Sequence, residues 1–178
     1  VFYLDKQTRV LVVKDFRTFR RDPTQWVVLA IFGILMLLGA SNFRQYSAAS
    51  LAVMDKYAIS LMNLSGTCIL LCAGLSRFVF PLVSLEGRKF WVLGLMPVSR
   101  RQILTGKFAF AATGSTLIAV GLVVGGELVL GMPAKPILLH AATAVAVAVG
   151  LSGVNVGLGA YMPNFRETDP SKIVVGFS

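Results

Sequence analysis

The 178-residue sequence predicts an all-α fold: a polytopic transmembrane bundle of about four membrane-spanning helices, with short cytoplasmic amphipathic helices beside them. Three observations predict it. Apolar residues make up 56% of the chain and charged residues only 14%, whereas a soluble domain has roughly 45–50% and about 25%. The mean hydropathy is +0.75. The apolar residues also gather into long runs, each near the roughly 20 residues that a helix needs to cross hydrocarbon.

The elements are taken in chain order. Segment 1–23 mixes apolar and basic residues, and its stretch VLVVKDFRTFRR places Val12, Phe16 and Phe19 on one helical face while Lys14, Arg17 and Arg21 point elsewhere. That pattern suits an interfacial helix on an anionic leaflet, or a plain juxtamembrane anchor. Pro23 ends it, and Asp22 or Thr24 caps the first span. That span is expected at 25–43, with Trp26 at the interface. The second, 57–85, is long enough to tilt and carries Arg77. The third is 108–132 and the fourth 136–162, with Tyr161 near its end. Gly121 and Gly125, Gly153 and Gly157, and the row Ala142, Ala146 and Gly150 are small residues four apart, a spacing that lets helices approach closely in lipid.

Charge placement sets the expected orientation. The chain has 17 Lys+Arg against 8 Asp+Glu, a net charge of +9. Thirteen of the 17 cations lie before the first span, between the second and third, or after the fourth. The positive-inside rule puts those regions in the cytoplasm. The excess charge is then a topology signal, and nucleic acid is not an expected partner. The expected location is a cell membrane, multi-pass, of the bacterial inner-membrane kind.

Segment 86–107 interrupts the apolar runs with a basic, half-apolar stretch. Residues 86–95 suit a short helix with Phe90 and Trp91 on its apolar side, while Gly94 and Pro97 prevent a long one. Ser99 and Gln102 form an S-x-x-Q capping box, so a new helix is expected to start there and run into the third span.

Chemistry-bearing residues are sparse. Cys68 and Cys72 sit four apart on one helical face, unsuited to a disulfide with each other and too few for zinc. Arg77 and Glu127 are the ionisable groups nearest the membrane interior. Such groups are candidates for a pathway or gating pair, against snorkelling or internal pairing. His140, the only histidine, sits near the end of a span and reads as structural. Asn63, Ser65, Thr67, Ser152 and Asn155 are expected to make interhelical hydrogen bonds. No catalytic constellation, metal-ligand set or cofactor motif stands out, and the phosphate-cradling G-x-x-x-x-G-K-[ST] loop does not occur.

Three separated stretches, KDFRTFRRDPTQW, SLEGRKFWVLGLMPVSRRQILTGK and YMPNFRETDPSKIVVGFS, together resemble the membrane permeases of ABC-2-type exporters, in particular the ABC exporter group of that superfamily. The resemblance covers most of the chain and implies a central fragment of one longer permease domain. It implies a permease subunit that couples ATP hydrolysis by a separate cytoplasmic ABC ATPase to substrate efflux, not an enzyme itself. It also implies a second permease domain as partner, beside the lipid bilayer. Glu86, Arg88, Trp91, Arg100 and Arg101 would then be the ATPase-coupling residues. The alternatives are a non-transporting membrane scaffold or assembly protein, and an intramembrane enzyme.

Overall fold

The computed structural model describes residues 6–21, 53–84 and 99–163. Regular structure among them is entirely helical. Helix α1 covers Lys6–Arg21, α2 Val53–Phe78, α3 Arg100–Leu130 and α4 Ala134–Tyr161, with a 3-10 turn at Phe80–Leu82 after α2. The expected span 25–43, the segment 86–98 and the tail beyond 163 lie outside the described residues. Three stretches, Lys56–Leu82, Arg100–Leu130 and Ala134–Tyr161, are long and apolar enough to cross a membrane by length and composition. They overlap the expected spans 57–85, 108–132 and 136–162.

Local signals set the ends of α3. The Ser99 Oγ accepts from the Gln102 amide at 3.2 Å, and the Gln102 Oε1 accepts from the Ser99 amide at 2.9 Å. This is the expected capping box, and it starts the helix eight residues before the expected span. At the other end Gly131 adopts φ 65, the left-handed conformation that glycine enters without strain. Its amide and that of Met132 return to the Leu128 and Glu127 carbonyls. Pro133 then blocks further helix, and α4 begins at Ala134. Gly131, Met132 and Pro133 therefore form a tight hairpin joining α3 to α4.

α3 packs along α4, α2 packs against both, and α1 lies on α3. Leu71 of α2, Ala119 and Val123 of α3, and Ala144 and Ala148 of α4 make one buried cluster. Leu75, Val79, Ala111 and Val156 make a second. The seam between α3 and α4 is built of small side chains, which brings their backbones close.

These are not the small residues that the spacing singles out. Ala142, Ala146, Gly150, Gly153 and Gly157 of α4, and Gly121 and Gly125 of α3, all lie on exposed faces. The glycines that meet a neighbour closely are Gly126, against the Asn63 side chain, and Gly159, against the Phe80 backbone carbonyl. An all-round apolar helix offers several small-residue stripes, and spacing alone does not choose the contacting one. The face expected for α1 is also corrected. Val12 is buried, but Phe16 is 55% exposed, and Asp15 occupies the buried side with Val12.

A methyl group at Gly159 would collide with main chain that has no rotamer to yield. Gly159→Ala should lower thermal stability by about 1–3 kcal/mol. Gly157→Ala, with open space around it, should raise it by about 0.5–1 kcal/mol by removing backbone entropy. Melting of the two purified variants beside the parent checks both.

Candidate functional site

The α3–α4 hairpin folds the last turns of one helix onto the first turns of the next. Glu127 stands four residues before Gly131, and His140 stands in the second turn of α4. Their side chains meet at the packed seam, Glu127 Oε1 against His140 Nδ1. α2 adds Ser60, whose hydroxyl donates to the same Glu127 Oε1 at 2.9 Å and lies 3.1 Å from His140 Nδ1. Glu127 and Ser60 have no exposed surface and His140 retains 8%. Glu127 Oε2 is buried and has no hydrogen-bond partner among the described residues. One oxygen thus takes contacts from two helices while the other takes none.

This is not a nucleophilic triad. A hydroxyl nucleophile and its orienting carboxylate must occupy opposite nitrogens of the imidazole. Here both lie at Nδ1, so His140 cannot take the Ser60 proton while held by Glu127. The cluster instead joins three helices at one buried carboxylate oxygen. A depression of about 380 Å³ adjoins it, lined by Tyr57, Leu61, Lys135, Pro136, Leu139 and His140.

Buried polar groups continue along the helices. Asn63 Nδ2 donates to the Val123 carbonyl at 3.3 Å, and the Ser115 and Ser152 hydroxyls lie 3.1 Å apart across α3 and α4. A second charged centre sits at the opposite end. Lys107, 2% exposed, donates to the Leu82 carbonyl at 3.0 Å and lies 3.7 Å from the Asp15 carboxylate of α1. Lys107 and Glu127 are twenty positions apart on α3, which at 1.5 Å per residue is about 30 Å.

The expected site residues separate. Glu86, Arg88 and Trp91 lie outside the described residues, while Arg100 and Arg101 are exposed in the first turn of α3. Arg77 is exposed in the last turn of α2, and Glu127 is fully buried near the far end of α3. The structure does not bring the two together, and the outward setting of Arg77 suits snorkelling. His140 is not a lone structural histidine, and the Ser60 hydroxyl and the Lys107–Asp15 contact are groups that sequence reasoning missed. The signal for the first was present. Glu127 and His140 flank the Gly131–Met132–Pro133 turn within two helical turns on either side, which brings such residues together in a hairpin. The remaining expected polar residues divide: Asn63 bridges helices, Ser152 meets Ser115, and Asn155 returns to the Leu151 carbonyl of its own helix.

A family model matches residues 1–178 and is described as "Putative ATP-binding cassette". The chain belongs to that family. No curated protein and no solved structure matches it. The match overturns the resemblance to ABC-2-type permeases, because it takes in the whole chain and names ATP binding as the family's property. With it go the permease and exporter function, the assignment of ATP hydrolysis to a separate ATPase partner, the second permease domain, and the reading that the chain is not an enzyme. The quoted motifs misled because basic loops between apolar helices are a general device, and fold-level likeness does not carry function. The family description lends no support to membrane spans, which rest on the helices alone.

The described residues of this ATP-binding cassette chain do not themselves fit a triphosphate. Its buried cation, Lys107, already faces Asp15 and the Leu82 carbonyl. The other buried centre is built around a carboxyl group. At the start of α3, the Gln102 amide and the Ser99 side chain are engaged in the cap.

Removing Lys107 leaves Asp15 buried against α3 with its countercharge reduced. Lys107→Ala should cost about 3 kcal/mol, the range for breaking a buried pair. Arg77→Ala should stay within about 0.5 kcal/mol. Chemical unfolding of both variants by helical circular dichroism makes the comparison.

Proposed function

We propose that this member of the ATP-binding cassette family is a membrane-seated ATPase, held in a cell membrane as a multi-pass protein by α2, α3 and α4. The observation that carries the membrane seat is the inverted polarity of the helices. Leu117 is 78% exposed, Leu138 74% and Met62 71%, with Ile69, Leu128 and Leu139 also facing out. Glu127, Ser60, Thr67, Ser152 and Asn155 face in. In water, so large an apolar exterior drives association. In lipid it is the ordinary surface, and polar side chains belong at helix–helix contacts. The spacing of the charged centres agrees. The interval of about 30 Å between Lys107 and Glu127 matches the thickness of the hydrocarbon core.

Nucleotide chemistry comes to the reading from the family. The helices supply the seat, and α1, tied to α3 through Lys107 and Asp15, lies at the level of one membrane surface.

Two measurements test the halves separately. Membranes from cells expressing the chain, washed at alkaline pH, should retain it in the pellet. Release into the supernatant overturns the membrane seat. The purified chain in lipid nanodiscs should bind a fluorescent ATP analogue saturably, with displacement by ATP and steady release of phosphate. Absence of binding at millimolar nucleotide overturns the ATPase reading while leaving the first result untouched.

A further inference from the structure

We propose that Glu127, His140 and Ser60 form a proton-binding site that loads and unloads through the depression beside His140, a property beyond the membrane seat and the nucleotide chemistry. The argument begins with charge. Glu127 is fully buried, and an enclosed carboxylate is strongly disfavoured unless it is paired and hydrogen-bonded. Its Oε1 has Ser60 and His140 against it, and its Oε2 has no partner among the described residues. Hydrogen bonding therefore answers only part of the charge, and a protonated imidazole at contact distance answers the rest.

Proton bookkeeping then identifies the atom that exchanges. Nδ1 faces Oε1, so its proton stays in that contact. The other ring nitrogen, Nε2, is free of the carboxylate. When Nε2 takes a proton, the ring becomes imidazolium and the pair moves from a net charge of −1 to zero. When it loses that proton, Nδ1–H still donates to Glu127 and the pair returns to −1. Nothing else is consumed or released. Ser60 holds the carboxylate by its hydroxyl in both states.

The surroundings favour traffic of one proton. The only exposed part of the cluster belongs to His140, which borders the depression. Tyr57 of α2 and Lys135 of α4 border it too. Among the described residues, α3 brings no titratable group to this end except Glu127. Lys135, and Lys56 one turn before Ser60 on α2, are the cations at this end among the described residues.

His140 is the chain's only histidine, so histidine labelled with nitrogen-15 gives one imidazole to observe. The experiment records it in the whole chain, reconstituted in nanodiscs of zwitterionic lipid, from acidic to alkaline pH. In the parent protein Nδ1 should stay protonated throughout while Nε2 alone gains and loses its proton. At the alkaline end the Nδ1–H tautomer should outnumber Nε2–H by roughly tenfold, as a hydrogen bond to a charged acceptor implies. In Glu127→Gln that preference should vanish. Ser60→Ala should keep it, with the parent's exchange at Nε2. A parent ring that never changes state, a parent dominated by the Nε2–H tautomer at alkaline pH, or a Glu127→Gln spectrum that superimposes on the parent overturns the proposal. The first two outcomes need no variant, so the test survives failure of Glu127→Gln to fold.

Discussion

A carboxyl group enclosed among apolar helices has to be met by donors from its neighbours. Glu127 meets that demand with groups from two other helices, and the rest of the architecture answers to it. The turn after α3 must be tight enough to bring His140 alongside, which is what Gly131 in the left-handed conformation and Pro133 achieve. α2 must cross where Ser60 reaches the same oxygen. That placement then sets Asn63, one turn further along, against Gly126 and the Val123 carbonyl. Beyond it the alanines of α3 and α4 close the seam. At the opposite end a cation plays the corresponding role, with Lys107 joining α1, the turn after α2 and α3.

The exterior obeys a different rule. Leucines, methionines and isoleucines face outward along all three long helices. Such a surface carries little information about partners, and its value lies in the solvent it suits. On the proposed reading that solvent is lipid. On that same reading, membership of an ATP-binding cassette family would join nucleotide chemistry to a membrane seat in one protein. The separate motor subunit that the short permease-like motifs had suggested is not part of that reading.

Much of the fold was legible because its signals are local. Long apolar runs pointed to helices that α2, α3 and α4 overlap, and the Ser99–Gln102 pair marked the start of α3. The buried faces were not legible. A helix apolar on every side has no polar face to orient it, so the glycine and alanine stripes chosen by spacing turned outward, while Ala144, Ala148 and Ser152 turned in. The settings of the expected site residues were not legible for a related reason. Arg77 and Glu127 looked alike as charges within runs, yet one sits on the outside and the other is enclosed. The contacts that matter are non-local: Ser60 lies 67 positions from Glu127. A pairing across such a distance becomes visible only when the helices are docked.

The hairpin of α3 and α4 carries its acid and its imidazole on its own two legs, close to the tip. The two side chains are therefore adjacent whether or not α2 has docked. The hydroxyl from α2 is then a finishing contact rather than a precondition. On the proposed membrane reading this order is favoured, since each leg alone would have to shelter an ionisable group without its counterpart. A three-residue connection, by keeping the legs adjacent from the outset, makes the paired unit available as soon as both legs exist.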